Sequence, residues 1–326
     1  MSNALIDKVR RKLWSKLVRY LRYSTMYPLL YRSYWHYLFH KNNQGENTTA
    51  YFGARPNPGA GIGHQMANWI AGYWWSKQFG LKFAHLPFST GTWEGFLGFG
   101  EQEIEVEDLV KKGYKKIKLP LFEERKSNEV KLVRQIISSY TEQEVVFVCE
   151  QDQFYRDQYG VVADIQKKFY SASARKNNTF TFDQKHFNIA IHVRRGDIMA
   201  DPNNPNLQMR YLANDYFEKV LRQVLETIQT DKPKHIYFFS QGNPNDYPEF
   251  KQFDNLHWCL DMGAQDSFLH MVYADVLITS KSSFSYKPAL LNRNIKVCPK
   301  NFWHGYPNTK DWVMVDNRGE LKRKTS

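Results

Sequence analysis

The chain has 326 residues, of which 42% are hydrophobic and 16% aromatic, a composition that excludes a mostly disordered polymer. Its formal net charge is +12, and nine basic residues against one acidic residue occur within the first 41 positions. A basic end on a nearly neutral body argues against a nucleic-acid-binding core.

The N-terminal segment is predicted to form a basic amphipathic helix over residues 4–23. Apolar residues recur there at three- and four-residue steps, with lysine and arginine between them: Ile6, Val9, Leu13, Leu17 and Leu21. An aromatic stretch follows, and rings beside cations suit the interface of an anionic bilayer. We therefore expect residues 1–45 to be a membrane-surface segment that contacts an anionic membrane through residues 4–40. The alternative is a helix that packs on the protein itself and leaves a solvated basic face.

The cysteines and the polar stretch after this segment bear on the protein's location and organisation. Cys149, Cys259 and Cys298 are far apart and have no Cys-x-x-Cys spacing, which predicts reduced, buried thiols. We expect a cytoplasmic protein that is peripheral on the membrane. Residues 41–49 are polar and rich in turn-forming residues, and they predict a linker.

From residue 50 onwards, short apolar strands alternate with helices. This pattern predicts an α/β fold with parallel sheets whose faces are covered by helices. The clearest strands are predicted at residues 189–193, 235–240, 256–260, 275–279 and 295–298, and one of the helices between them near residues 246–252. A polar segment near residues 171–187 predicts a boundary between two Rossmann-like domains, over residues 50–180 and 186–315.

Two adjacent arginines follow the first strand of the second domain. The segment reads His192-Val193-Arg194-Arg195-Gly196-Asp197. A guanidinium is always charged, and its planar fork of donors fits a phosphate group. Such residues at the carboxyl end of a parallel strand predict a diphosphate ligand. The alternative is an arginine–aspartate ion pair that holds a loop.

This segment resembles the His-x-Arg-Arg-x-Asp signature of the fucosyltransferase superfamily, which holds alpha-1,2- and alpha-1,6-fucosyltransferases and protein O-fucosyltransferases. The alpha-1,2 group, with His-Ile/Val-Arg-Arg-Gly-Asp, is the most similar in pattern. The resemblance implies a GT-B fold in which two Rossmann-like domains face a cleft. Residues 50–180 would then lie on the acceptor side and residues 186–315 would bind the GDP-sugar. Arg194 would hold the beta-phosphate, with Arg195 nearby and His192 towards the nucleotide.

Two further segments are similar to the same family, in the same order. A glycine-rich turn at residues 59–65 opens a helix and leaves backbone amides available to an anion. It resembles the family's Gly-x-Gly-Asn-Gln stretch, with histidine in place of asparagine, and implies donor contacts from Gly61, Gly63, His64 and Gln65. A serine-rich turn resembles the family's Ser-Ser-Phe-Ser element and implies nucleotide contacts from Ser282, Ser283 and Phe284. A structural tight turn and an ordinary serine N-cap are the alternatives.

One segment departs from the family pattern. Where the family has Phe-Ser-Asp-Asp, this chain has Phe239-Ser240-Gln241-Gly242. The acid of the family's pair can accept from the N1–H and 2-amino donors of guanine. Because the acidic pair is missing, we expect Asn243, Asp246 or main-chain carbonyls to read the base.

Together these segments predict an inverting transfer of fucose from GDP-fucose to a glycan hydroxyl, with an alpha-1,2 linkage. Arg194 would neutralise the diphosphate leaving group, helped by Arg195 and by the amides near Gly61 and Gly63. Asp201 is the first candidate for the catalytic base, and Asp197 is the second. The sequence has no Asp-x-Asp at a strand end and no cluster with metal-ligand spacing, so we expect neither a metal nor a cofactor.

The expected partners are a GDP-sugar donor, a glycan acceptor and an anionic membrane, and not nucleic acid. A lipid-linked acceptor would explain the N-terminal helix. The sequence leaves two other functions open. One is a related GT-B transferase that uses another nucleotide sugar, and the other is a non-catalytic basic protein that binds membranes.

Overall fold

A computed structural model describes residues 3–42, 45–150, 158–201 and 203–321 of the chain. The helices in chain order are α1 (Asn3–Leu21), α2 (Arg32–Phe39), α3 (Ile62–Gln78), α4 (Gly91–Leu97), α5 (Val106–Lys111), α6 (Ser127–Ser138), α7 (Val162–Ser171), α8 (Asp197–Ala200), α9 (Pro205–Gln208), α10 (Asn214–Thr227), α11 (Ala264–Tyr273) and α12 (Ser283–Leu291). The strands are β1 (Tyr51–Arg55), β2 (Lys82–Phe83), β3 (Lys115–Lys118), β4 (Val145–Glu150), β5 (Phe187–His192), β6 (Lys234–Ser240), β7 (Leu256–Leu260), β8 (Val276–Ile278), β9 (Ile295–Pro299) and β10 (Trp312–Val315).

The strands form two sheets in which every named strand pair is parallel. One sheet has the order β2-β1-β4-β3 and the other the order β10-β9-β8-β5-β6-β7. The predicted α/β fold with two parallel sheets is therefore confirmed, and the predicted cleft between two domains stays a prediction.

The chain divides into two compact units, and each is assembled from three stretches of sequence. The first contains Met1–Asn57, Ala71–Leu86 and Glu103–Phe154, and the second contains Pro58–Ile70, Pro87–Gln102 and Tyr155–Ser326. The glycine-rich turn thus belongs to the same unit as the arginine segment. The roles that the sequence suggests for residues 50–180 and 186–315 stay predictions.

The N-terminal segment packs on the first unit through one side of α1. Trp14 and Leu21 contact a cluster that includes Val18, Tyr27 and Tyr31, all three of them buried. The hydroxyl of Tyr27 accepts a hydrogen bond from the backbone N–H of Leu121 at 2.8 Å. Of the predicted segment 1–45, residues 1–2 and 43–44 lie outside the described residues.

The described residues 45–49 of the predicted linker have irregular structure, and Asn47 among them is buried and fixed. Its side-chain amide donates to the carbonyl oxygens of Tyr140 at 2.6 Å and Gln143 at 3.1 Å. Its Oδ1 accepts from the backbone N–H of Ala50 at 3.0 Å. A buried amide that both donates and accepts hydrogen bonds holds this part of the chain in one place.

In the second unit, strand order determines where a ligand site can form. The central strand β5 pairs with β6 on one side and with β8 on the other. The chain therefore runs outward through β6 and β7 and then returns to the opposite side of β5 at β8. Such a reversal leaves a crevice at the carboxyl ends of the two strands where ligands of open α/β sheets bind.

The core of this unit explains why its strands read as continuous apolar runs. Ile189, Ile191, Phe238 and Ile278 belong to one buried cluster that also receives side chains from α10. A parallel strand covered on both faces carries apolar residues at successive positions instead of alternate ones. The helix predicted near residues 246–252 is instead two 3₁₀ turns, Pro244–Asp246 and Pro248–Phe250, because each proline lacks the N–H that a helix interior needs.

Candidate functional site

A cavity of about 310 Å³ opens at the carboxyl ends of the strands of the second unit. It is lined by His192, Val193, Arg194, Arg195, Phe239, Ser240, Gln241, Asp261, Met262, Ala264, Ser267 and Phe284. The predicted residues His192, Arg194, Arg195 and Phe284 are thus brought together in one place. They come from the end of β5 and from the start of α12, which follows β8, so the reversal in strand order has gathered them.

His192 is the last residue of β5, and its ring is buried. Its Nδ1 lies 2.8 Å from the Oγ of Ser280, and its ring lies 5.6 Å from that of Phe284. Burial, assisted by the neighbouring charges of Arg194 and Arg195, lowers the pKa of His192 to about 3. The ring is therefore neutral at pH 7, and it shares a hydrogen bond with Ser280 without adding charge to the site.

Arg194 contacts the serine-rich turn directly. Its Nη1 donates to the Oγ of Ser282 at 3.1 Å. The same oxygen accepts from the backbone N–H of Phe284 at 3.2 Å, which makes Ser282 the N-cap of α12. Guanidinium and helix N-terminus are thus both at the cavity wall, and both favour a negatively charged ligand.

Arg195 points to a different set of partners. One nitrogen of its guanidinium donates to the Oδ1 of Asn214, and another donates to the carbonyl oxygen of Arg194 at 2.8 Å. The guanidinium also lies over the ring of Tyr211, 4.9 Å from its centroid. Burial lowers the pKa of Arg195 from its ordinary value. Because these contacts hold the group in a fixed position, Arg195 can present its charge to a ligand without first ordering the side chain.

Glycine is the residue that fits best at position 196 of this turn. The φ of Gly196 is +67°, a backbone conformation that other residues rarely adopt. A Cβ at this position would lie 1.9 Å from the Oε1 of Gln241. The glycine therefore allows the side chain of Gln241 to approach the backbone of the arginine segment.

The glycine-rich turn reaches the serine-rich turn through Gly63. A Cβ on Gly63 would lie 2.7 Å from both the carbonyl carbon and the carbonyl oxygen of Ser283. The start of α3 therefore packs on the start of α12, so that Arg194, Ser282, Ser283 and Gly63 occupy one neighbourhood. The three segments on which the family resemblance rests meet within the second unit.

The other residues of the glycine-rich turn have different surroundings. Gln65 is buried, its Nε2 donates to the carbonyl of Ala60 at 2.7 Å, and its Oε1 accepts from the backbone N–H of Ser89 at 2.8 Å. Gly61 and His64 are exposed. Gln65 therefore holds the loop in shape, while His64 has the accessible position. Their predicted donor contacts stay predictions.

The residues expected to read the base form a local cap after β6. The Oδ1 of Asn243 accepts from the N–H of Asn245 at 3.0 Å, and the Oδ2 of Asp246 accepts from the N–H of Asn243 at 2.8 Å. Neither residue is among those that line the cavity. Their predicted contact with a base would have to use the Oδ1 of Asp246 or the side-chain NH2 group of Asn243.

Asp261 is a cavity residue that the sequence analysis missed. It follows β7 with a φ of +55°, and its N–H donates to the carbonyl of Ser240 at 3.0 Å. This hydrogen bond joins the end of β7 to the end of β6. A carboxylate at the end of an apolar strand is the same kind of signal as the arginines at the end of β5, and it could have been found on that ground.

The two candidate bases lie on the loop after the arginine segment. Asp197 begins the short helix α8, and its side chain lies outside the described part of the structure. Asp201 is exposed, its carbonyl accepts from the N–H of Asn204 at 3.2 Å, and it is not among the residues that line the cavity. Among the side chains that are described, no group of three or more His, Cys, Asp or Glu residues could hold a metal ion.

Comparisons with known proteins give similarity only at the level of solved structures. No family model matches the chain, and no curated protein matches its sequence. POFUT1 in complex with GDP has a TM-score of 0.44 at 10% identity, and the match covers 78% of this chain and 99% of that one.

FUT1 of Arabidopsis thaliana in complex with GDP has a TM-score of 0.41 at 13% identity, with 91% of this chain and 79% of that chain covered. The fucosyltransferase NodZ from Bradyrhizobium has a TM-score of 0.40 at 10% identity, with 85% and 98% covered. The solved structures to which this chain is similar thus include three fucosyltransferases, at similarities too low to assign it to their families.

Proposed function

We propose that this protein is a glycosyltransferase that takes fucose from GDP-fucose and transfers it to a glycan hydroxyl. The observation that carries the proposal is the meeting of Arg194 with Ser282 at the N-terminus of α12, on the wall of a cavity at a strand-order reversal. A guanidinium, a helix N-terminus and a second arginine make a site for a diphosphate. The segments that form it are those that resemble the fucosyltransferase superfamily.

The proposed reaction is a single displacement at the anomeric carbon. The acceptor oxygen forms a bond to C1 of the fucose as the bond from C1 to the beta-phosphate oxygen breaks, and the electron pair leaves with GDP. Arg194 lies where it can offset the charge that develops on the leaving phosphate, and Arg195 is fixed beside it. The proton of the acceptor hydroxyl passes to a carboxylate, for which we propose Asp201 first and Asp197 second.

We propose that Asp261 contributes to the reading of the base. In the sequence, Gln241 and Gly242 stand where the related enzymes have acids, and Asn243 and Asp246 cap a turn. Asp261 follows the neighbouring strand β7 and lines the same cavity, so it supplies a carboxylate there. A carboxylate suits the adjacent N1–H and 2-amino donors of guanine and has no such pair of donors to meet on adenine.

Nucleotide titration tests the proposal. The expected result is binding of GDP and GDP-fucose by calorimetry, with weaker binding of ADP and UDP. Arg194→Ala should remove nearly all binding and turnover, because it leaves the diphosphate charge uncompensated. Arg222→Ala is the matched control, since Arg222 lies on the exposed side of α10 and pairs with Glu218. Normal turnover in Arg194→Ala would contradict the assignment.

A second variant tests the donor. Asp261→Asn should weaken GDP much more than UDP, because the lost charge faces the base and not the phosphates. Equal weakening of both nucleotides would assign Asp261 to a general electrostatic role. The second candidate function is a related transferase that uses another donor, because Gln241-Gly242 replaces the acidic pair. Tighter binding of UDP-sugars or GDP-mannose than of GDP-fucose would favour this candidate.

The acceptor, the linkage and the independence from metal belong to the same proposal. Incubation with GDP-fucose and a glycan array, followed by linkage analysis of the product, would test the alpha-1,2 linkage and identify the acceptor. Activity that EDTA abolishes and magnesium restores would overturn the metal-independent mechanism. Cytoplasmic localisation stays a prediction from the sequence.

A further inference from the structure

Helix α1 carries apolar residues on two sides, and only one of the sides packs on the protein. Trp14, Val18 and Leu21 face the first unit. A second side presents an outer stripe with large exposed fractions: Val9 49%, Leu13 62%, Leu17 42% and Tyr20 86%. At 100° per residue these four positions fall within one arc of the helix, adjacent to the packed side.

Cations flank this outer stripe. Arg10, Lys12, Lys16 and Arg19 are all exposed. At 100° per residue Lys16 adjoins the stripe on one side and Arg10 on the other, with Lys12 and Arg19 beyond Lys16. Asp7 is the only acidic residue in the first 41 positions. The face is thus a row of apolar side chains between positive edges.

We propose that this outer face of α1 docks on the surface of an anionic lipid bilayer, with the helix lying in the plane of the interface. The sequence left open whether the helix binds a membrane or the protein itself. Because the stripe and the packed side are different sides of one helix, the structure allows the contact with the first unit and the contact with the membrane at the same time.

The chemistry of the face favours a bilayer over the other occupants. A second copy of the chain would bring two positive faces together, which is unfavourable. A nucleic acid would meet the cations but leave the apolar row against phosphate and water. An anionic bilayer accepts both, since the apolar side chains enter the acyl boundary and the cations meet the headgroups.

Neighbouring aromatic side chains add to the same property. Tyr23, Trp35 and Phe39 are exposed in the segments that follow α1. The ammonium of Lys126 lies 5.0 Å from the ring centroid of Tyr23, which puts a further cation beside an exposed ring. Aromatic rings of this kind are enriched where membrane meets water. No helix in the described part of the chain has the length and apolarity to cross a membrane.

Co-sedimentation of the full-length protein with vesicles tests the proposal. One set of vesicles contains phosphatidylcholine alone, and the other contains phosphatidylcholine mixed with phosphatidylglycerol. The wild type should partition onto the anionic vesicles at least tenfold more strongly than onto the neutral ones, and salt should weaken this binding. Leu13→Gln with Leu17→Gln, and separately Lys12→Gln with Lys16→Gln and Arg19→Gln, should each lower the partition at least tenfold.

Matched controls separate this face from general surface properties. Val110→Gln removes an exposed apolar side chain on α5, and Lys112→Gln with Lys131→Gln and Lys176→Gln removes three exposed charges elsewhere. These proteins should bind anionic vesicles like the wild type. Thermal midpoints and circular dichroism check the fold of each variant, and Tyr20→Ser, the most exposed position of the stripe, serves as a second variant should the leucine pair fail to fold.

Two results would overturn the proposal. One is unchanged vesicle binding in the leucine variant. The other is a wild type that binds no anionic vesicles and forms a dimer by light scattering, with the leucine variant monomeric, because the face would then bind a second copy. The proposal is independent of the proposed function, since nucleotide binding measured on the same variants should stay at the wild-type level.

Discussion

At the residue scale, burial affects the charge of the side chains around the cavity in different ways. His192 is buried beside two arginines and is neutral at pH 7, because protonation would add a third positive charge away from water. Arg195 keeps its charge although burial lowers its pKa, since the ordinary value of an arginine lies so far above pH 7. The site therefore has positive charge on the arginines and a neutral acceptor or donor on the histidine.

The neutral histidine makes stability depend on pH in a defined window. Below pH 6.5 the unfolded chain protonates this histidine, while the native protein does so only near pH 3. The free energy of unfolding should therefore fall as the pH drops through this range, by about 2 kcal/mol at pH 5 from His192 alone. The expected result for His192→Asn is a smaller loss between pH 7 and pH 5, measured by urea unfolding.

Other histidines do not obscure this comparison. Burial also lowers the pKa of His235, His257 and His270, but these residues are present in both proteins and contribute the same background. If the free energy of unfolding depended on pH in the same way in the wild type and in His192→Asn, His192 would take up its proton in the native state as readily as in the unfolded chain.

Lys287 is a buried amine that the proposed reaction does not use. It lies on α12 with no exposed surface, and its Nζ has no hydrogen-bond partner in the described structure. Burial lowers its pKa well below 10.5. Between the native and the unfolded pKa the unfolded chain binds more protons, so stability should rise with pH across that window.

Replacement of this amine by an apolar group of similar length should stabilise the protein. We expect Lys287→Met to raise the free energy of unfolding at pH 7 by about 1–3 kcal/mol, because the cost of burying an unpaired polar group is removed. Lys185→Met, at an exposed position, is the control and should change stability little. A loss of stability in Lys287→Met, measured by urea unfolding, would contradict this account.

At the element scale, apolar pattern predicted the strands β5 to β9 and missed strand β3. Strands β5 to β9 could be predicted because each contributes apolar residues to the core, although β5, β6, β7 and β9 also contain polar residues. Strand β3 has the sequence Lys-Lys-Ile-Lys and lies at an edge, where it pairs with β4 through its backbone. Its sequence carries no periodic signal, so only the pairing itself reveals the strand.

The site could be predicted in part, because its motifs are local but its contacts are not. The arginine, glycine and serine segments were each visible as short runs of sequence. The contact of Arg194 with Ser282 joins positions 88 residues apart, and that of Arg195 with Asn214 joins positions 19 apart. Such pairs depend on which strands are neighbours, and no short window of sequence records that order. Asp261 can be picked out as an acid at a strand end, but its position at the same cavity as Arg194 depends on the same strand order.

The close approach of α3 to α12 gives a prediction at this scale. Gly63→Ala should lower the thermal midpoint and weaken GDP binding, because a Cβ would meet the backbone of Ser283 and push the two helix starts apart. Overpacking of this kind costs about 1–3 kcal/mol. Gly61→Ala is the control, since a Cβ there meets nothing within 4 Å and keeps the backbone N–H. Equal effects of the two substitutions would mean that loop flexibility, and not the contact with Ser283, is what matters.

At the scale of the whole molecule, the path of the chain connects the two units repeatedly. The chain passes from one unit to the other after Asn57, Ile70, Leu86, Gln102 and Phe154. Helix α3 begins in the second unit and continues into the first. If one unit unfolded alone, only part of α3 would stay helical. The new helix end would expose backbone groups that are hydrogen-bonded in the intact helix.

The three cysteines can report whether the units unfold together. Cys149 lies in the first unit, Cys259 and Cys298 lie in the second, and all three are buried. Burial raises the pKa of Cys259 to about 11 and that of Cys298 to about 12, so neither has appreciable thiolate in the native protein at pH 8. Each thiol should become reactive only when its own unit unfolds.

Pulsed alkylation at increasing urea concentration, with each cysteine followed by mass spectrometry, measures these events separately. Because the shared helix and the repeated crossings couple the units, all three thiols should become reactive at the same urea midpoint. A lower midpoint for Cys149 alone would mean that the first unit unfolds while the second persists, and that α3 can end near Ile70. A lower midpoint for Cys259 than for Cys298 would instead place the weakest point at β7, the edge strand of the larger sheet.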